Sequence, residues 1–549
     1  MQAPTHPREI AEKQWLQWQE GAAEQGVDYT FDGAFVEQLL QVWEGSDYAA
    51  QCCLRDPSLL VELHGSGDLG GSFEPGVMAE RLRKLLAEVN DEVQLHKVLR
   101  LYRRYHMVRI IWRDLTQAAP LAETLEDLSA LADASIDSAL TLLYDWSVAK
   151  QGVPRDGDGN QQRLVVLGMG KLGARELNLS SDIDLIFAYP SKGEVEGPRY
   201  LTNEQFFVRL CQQLIKALNS QTVDGFVFRV DARLRPFGDA GPMAMNFDAM
   251  EVYYETHARE WERYAMIKAR VVAGDQEMGE QLMTMLRPFV YRRYLDFGAF
   301  ESLRKMKKLI SNELHRKGMD RNVKLGPGGI REIEFIGQAF QLIRGGRDAD
   351  LQIRPILPVL KHLGEKDLLP GFVVDELTGA YEFLRLVENR IQAWQDRQTH
   401  LLPDDDLGQL RMARAMGYEK WAQFFAELER HRSKVQGHFD QVFAAPQAED
   451  ESNDDQLLAD LWLQELEGEA ATAILDNSGF ADSQMVIDQL AAIRNSHTVR
   501  GMGVRGRERL DQLMPLLLEA VGGCDGPEVT LKRVLKLIES IGKRTAYLA

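Results

Sequence analysis

Apolar residues along most of this chain recur at helical spacing. Leu95, Val98, Leu99 and Tyr102 follow the i, i+3, i+4, i+7 stripe of an amphipathic helix, and Leu377, Tyr381 and Leu384 do the same in a long proline-free run. Near the end, Leu510, Leu513, Met514 and Leu517 form one stripe, and Leu531, Val534, Leu535 and Ile538 form another. Between those two, the loop Gly522 to Pro527 has glycines where a helix should stop and a proline where the next should start, which predicts a helical hairpin. The pattern changes between about residues 160 and 245. There Leu164–Leu167, Leu185–Ala188 and Gly225–Leu234 are continuous or alternating apolar runs bounded by turn residues, and they predict strands. Gly152–Asn160 reads as a loop before the first strand, and the acidic stretch Ala444–Asp455 reads as a linker. The expectation is an α+β chain, mostly helical, with one small mixed sheet between large helical regions.

The strand region also carries the chemistry. The turn Gly168-Met169-Gly170-Lys171-Leu172-Gly173 follows the first apolar run, and about ten residues later Ser180-Ser181-Asp182-Ile183-Asp184 opens the second. Side chains two apart on a strand share a face, so Asp182 and Asp184 converge while Ile183 points away. Two carboxylates so placed repel unless a cation lies between them. Hard divalent ions such as Mg2+ take carboxylate oxygens together with substrate phosphates. On the run Gly225–Leu234, the same period aligns Asp231, Arg233 and Arg235, a third carboxylate beside two guanidinium clamps for phosphate. Gly168 and Gly170 let the backbone approach a phosphate. Lys171 either reaches that phosphate or points to solvent. Ser180 and Ser181 either bind phosphate oxygens or form a local turn.

These residues resemble the nucleotidyltransferase superfamily related to DNA polymerase β. Within it the wording is close to one family, the bacterial bifunctional glutamine synthetase adenylyltransferase/adenylyl-removing enzymes. The likeness rests on Gly168–Gly173 with Glu176-Leu177-Asn178, on Val230–Gly238, on Trp261–Arg270, on Lys324–Phe335 and on Arg344-Gly345-Gly346-Arg347, and it runs from about residue 95 onward. That family carries two nucleotidyltransferase units in one long chain, the first removing AMP from glutamine synthetase and the second adding it. Met169, Asn178 and Ile183 match the adenylyl-removing unit, so the chain is expected to be the N-terminal half of such a protein.

The resemblance implies that Asp182, Asp184 and Asp231 hold two Mg2+ ions. It further implies that phosphate attacks the adenylylated tyrosine to give ADP, with the signal protein PII and its uridylylated form as regulators. The alternatives are adenylyl transfer from ATP, or a regulatory module binding PII and glutamine synthetase. It divides the chain into N-terminal helices (1–125), a polymerase β-like nucleotidyltransferase domain (126–300), a helical bundle (301–445) and an acidic linker with a further helical segment (446–549). Trp261–Arg270 is expected to be a helix packed on the sheet, and Gly326–Gly329 a turn opening a helix.

Net charge then narrows the partners. At −19, the chain lacks the basic surface a nucleic-acid enzyme needs, apart from the cluster Arg304–Lys317. No apolar run is long enough to span a membrane and no secretory leader is visible. Four cysteines without metal spacing are expected as free thiols in a reducing cytoplasm.

Overall fold

A computed structural model of the chain describes residues 6–541 except 199, 293–318, 443–452, 464, 465, 467 and 503. It comprises two compact units, Met1–Val442 and Phe443–Ala549. The basic cluster Arg304–Lys317 lies outside the described residues. So does most of the acidic stretch, although Asn453–Asp455 already belong to the helix Asn453–Leu463.

The first unit opens with helices whose ends are set by their sequence. Asp32, Ser46 and Asp91 stand at N-caps and accept from the backbone N–H groups of Phe35, Ala49 and Gln94. The predicted stripe at Leu95–Tyr102 lies on the helix Glu92–Leu115, which also buries arginines. Arg109 is satisfied by Asp127 at 2.5 Å and by the carbonyls of Asp68 and Gly71, so its charge is buried without being orphaned.

The sheet follows. Its strands are β2 (Val165–Gly168), β3 (Asp182–Tyr189), β5 (Arg229–Asp231), β6 (Ala244–Asn246) and β7 (Arg270–Gly274). The order is β5-β3-β2-β7, with β6 also pairing with β3. β2 runs antiparallel to β3 and β7, whereas β5 and β6 lie parallel to β3. β2 is buried throughout, which is why it reads as a continuous apolar run. A separate ribbon pairs β1 (Val153–Asp156) with β4 (Gly193–Glu196), so the stretch read as a loop before the sheet contains a strand.

Two expectations are corrected here. The strand expected over Gly225–Leu234 is confined to Arg229–Asp231, because the Asp231 carboxylate accepts the Arg233 N–H at 2.8 Å and turns the chain. The helix expected through Arg270 ends at Met266, and Arg270 starts β7.

Helices Ile330–Arg344, Ile356–Glu365, Gly371–Ala393, Asp406–Ala415 and Trp421–Val442 complete this unit. The second unit is helical, with its own core around Trp462, Leu475, Val486, Leu490, Leu510, Met514 and Leu531. Both predicted C-terminal helices are present, as Val504–Gly522 and Pro527–Ile541. Among the described residues no helix is long and apolar enough to cross a membrane. Cys52, Cys53 and Cys211 are buried free thiols and Cys524 is an exposed one.

Candidate active site

The glycine turn is fixed from both sides. Met169 donates its N–H to the Asp184 carbonyl at 2.9 Å, which binds the turn to β3. A Cβ on Gly173 would lie 1.8 Å from the Lys268 carbonyl oxygen, and one on Gly168 would lie 2.6 Å from Val272. Both glycines therefore serve the close approach of the turn to the β7 side. Gly170 is different. Its φ is +53°, and the nearest atom to a Cβ there would be Asp184 Oδ2 at 3.5 Å, so this is the glycine that faces the carboxylates.

Parallel pairing of β3 with β5 sets Asp182 opposite Arg229 and Asp184 opposite Asp231. Asp182 is held by Arg229 Nε at 2.9 Å and by Gln398 Nε2 at 2.8 Å. The other arm of Arg229 donates to Ser180 Oγ at 2.8 Å, so buried Ser180 helps aim an arginine. Ser181 is half-buried at the entrance to β3. Asp231 is engaged by Arg233, whose guanidinium reaches it at 2.5 Å and holds its carboxyl below the usual range.

Among the described residues no side chain donates to the Asp184 carboxylate. Burial, and then the charges of Asp231 and Asp182, push its pKa up to about 6 against the pull of Lys324 and Arg233. Lys324 was not foreseen as a site residue. It enters from a distant loop, and nothing in its local spacing points to a phosphate or a carboxylate.

Two residues expected at phosphate are used elsewhere. Lys171 is buried, and its ammonium meets both Glu388 oxygens at 2.7 and 2.8 Å and Asn178 Oδ1 at 2.8 Å. Arg235 does not share a strand face with Asp231. Its guanidinium donates to the carbonyl of Ala232 at 2.7 Å and so braces its own turn. Arg233, 73 % exposed, remains an arginine open to an incoming anion beside Asp231.

Around the turn lies a buried polar network that gave no sequence signal. Glu388 also forms an ion pair with Arg385 at 3.0 Å and approaches His400 at 3.0 Å. Lys268 bridges Glu176 at 3.0 Å and Glu334 at 2.6 Å. The Gln392 amide oxygen takes the Ser180 N–H at 2.8 Å and a short bond from Asn178. Burying ions is costly unless each is paired, and here Glu388, Glu176 and Glu334 face Lys171, Arg385 and Lys268, with His400 beside Glu388.

The donor set of Asp182, Asp184 and Asp231 suits a divalent cation, since one carboxylate is desolvated, without a donor and repelled by two others. With Arg229 and Arg233 drawing two of them aside, the three do not close on one point. Among the described residues the acidic group within 4.8 Å of itself is Asp348, Asp350 and His362, where Lys366 already sits 3.0 Å from Asp348.

Residues 36–285 match the family model described as glutamate-ammonia ligase adenylyltransferase, and residues 304–443 match that of GlnD PII-uridylyltransferase. The chain is 53% identical to the bifunctional glutamine synthetase adenylyltransferase/adenylyl-removing enzyme of Thioalkalivibrio sulfidiphilus, over 93% of this chain and 54% of that protein. Proteins of the same description from Nitrosococcus oceani and Pseudomonas aeruginosa are 52% and 51% identical, over 97% and 93% of this chain and 55% and 53% of their own. The chain thus spans about half the length of the curated relatives it matches. The glycine turn and all three aspartates fall inside the first matched span, and identity above half extends along nearly every residue. Along nearly its whole length this chain is thus similar to about half of a bifunctional glutamine synthetase adenylyltransferase/adenylyl-removing enzyme.

Proposed function

We propose that this chain removes AMP from the adenylylated tyrosine of glutamine synthetase by phosphate-dependent phosphorolysis, yielding ADP and the unmodified enzyme. The observation that carries this reading is the pairing of Asp184 with Asp231 across β3 and β5 behind the glycine turn. This pairing, with Asp184 largely buried, supports a reading in which the carboxylates and a cation present a phosphoryl centre. Met169, Asn178 and Ile183, which match the adenylyl-removing unit, are all buried here, so they record the packing of that unit rather than contacts to substrate.

Magnesium ions, two in this reading, would be held by Asp182, Asp184 and Asp231 and would supply charge neutralisation at the phosphoryl and tyrosine oxygens. The chain's own residues do the rest. Asp184 is ionised above about pH 6 and then available as a ligand. Arg229 and Gln398 fix the direction of Asp182. Arg233 and Lys324 offer positive charge to the incoming phosphate. In the step itself a phosphate oxygen forms a bond to the α-phosphorus while the bond from that phosphorus to the tyrosine oxygen breaks. The electron pair stays on the phenolate, which takes a proton from water.

The match of residues 304–443 to a PII-uridylyltransferase model supports PII, and its uridylylated form, as regulatory partners. The same reading puts the chain in the cytoplasm with its protein substrate. Incubation with adenylylated glutamine synthetase, Mg2+ and phosphate should release ADP. Equal release of AMP without phosphate would replace phosphorolysis by hydrolysis. Incorporation of label from ATP into unmodified glutamine synthetase would replace removal by transfer.

A further inference from the structure

A cavity of about 200 Å³ lies between the end of the helix Gly371–Ala393, the following loop and the helix Asp406–Ala415. Trp394, Arg397, Leu401, Asp405 and Arg411 line it. The Arg411 guanidinium lies 3.0 Å from the centre of the Trp394 ring. None of its nitrogens has a hydrogen-bond or ion-pair partner among the described residues, and Nε is buried. Burial pushes its pKa down to about 10, with Asp47 and Asp405 acting only at a distance.

A half-buried guanidinium with an enclosed Nε and no carboxylate partner is costly to keep, and its neighbour Arg390 is placed differently. Arg390, which lines the same cavity, pairs with Asp114 and donates to the carbonyls of Asp114 and Ala415. Asp405 turns one oxygen to the Gly408 N–H at 2.8 Å, and Asp47 is held by Gln14 at 2.9 Å. Stacked on indole, a guanidinium keeps its donor edge free, and that edge matches a planar carboxylate. The volume is below that of common drug-sized pockets, roughly 300–1,000 Å³, so the ligand must be compact.

The far side of the same loop reaches the carboxylate site. Gln398 donates to Asp182, His400 meets Glu388, and the Thr399 carbonyl accepts from Gln392 at 3.3 Å. We propose that this cavity binds a small carboxylate through Arg411, and that its occupancy alters through residues 394–403 how Asp182 is held. The binding half stands without the proposed function, and the coupling half rests on it through the metal.

Calorimetric titration of the full chain with acetate, malonate and succinate, against chloride and sulfate, tests the binding. At least one carboxylate should bind saturably, Arg411→Met should weaken it ten-fold or more, and Asp184→Asn should leave it unchanged. If Arg411→Met fails to fold by circular dichroism, Leu401→Trp, which fills the cavity from another wall, should abolish binding. Absence of carboxylate binding to the unaltered chain, or equal binding by Arg411→Met or Leu401→Trp, overturns the site. For the coupling, the bound carboxylate should change Mg2+ affinity at least three-fold, and Gln398→Ala should remove that change while keeping carboxylate binding. Mg2+ affinity indifferent to the carboxylate in the unaltered chain refutes the link.

Discussion

Asp184 is held in the folded chain at a price in stability, and its titration gives the sign. Below the ordinary aspartate value of 3.8 it is protonated whether folded or unfolded and costs nothing. As pH rises from there through about 6, the unfolded chain gives up the proton and the folded chain keeps it, so stability falls. Above that range the full penalty remains. Asp184→Asn should therefore raise stability by about 1–3 kcal/mol at pH 8 with chelator present, and by nothing near pH 3.5, in urea titrations at both pH values. On the proposed function the same variant should lose turnover by about a thousand-fold or more, since it removes the proposed metal ligand. Arg233→Ala should raise the phosphate concentration needed for half-maximal turnover, whereas Arg235→Ala should lower the thermal midpoint without that effect. Titrating phosphate at saturating Mg2+ separates the two. The aspartates were legible because a period of two survives any tertiary context. The direction of Arg235 was not legible, because the period of two does not extend past Asp231, where the carboxylate itself ends the strand.

At the scale of elements, the glycine turn is built by packing as much as by its ligand. Gly173→Ala forces a Cβ into the Lys268 carbonyl and should prevent a stable fold, while Gly170→Ala meets Asp184 Oδ2 only at ordinary contact distance and should cost about 1–2 kcal/mol of left-handed backbone strain. Thermal unfolding of the two variants should rank them in that order. Lys171→Met leaves Glu388 short of a partner in a fully buried position and should destabilise by about 3 kcal/mol. Lys84→Met, which breaks an exposed pair with Glu80, should leave the unfolding midpoint unmoved. The motif lysine was readable as a charge near a phosphate turn, but its partner lies 217 residues away and no local pattern announces such a pair.

For the whole molecule, each residue of the carboxylate site and of its surrounding network falls within Met1–Val442, and the second unit has a core of its own. A chain ending at Val442 should keep its thermal midpoint within a few degrees and retain phosphate-dependent ADP release. Loss of the cooperative transition on that truncation would mean the units do not fold independently. Helical stripes and the central strands were evident from periodicity. Which helices would cover the site was not, because helices contribute to it through single polar side chains such as Glu388 and Gln392.

That long-range pairing bears on how the chain is made. Synthesis delivers Asp182, Asp184 and Asp231 early, yet Gln398 follows Asp182 by 216 positions and Glu388 follows Lys171 by 217. Until the helix Gly371–Ala393 and its loop have emerged from the ribosome, Lys171 has no counter-ion and Asp182 lacks one of its two donors. The half-made polypeptide thus carries its three acids without Gln398 or the counter-ion of Lys171, and on the proposed function a chain stalled before Gly371 should show no phosphate-dependent ADP release.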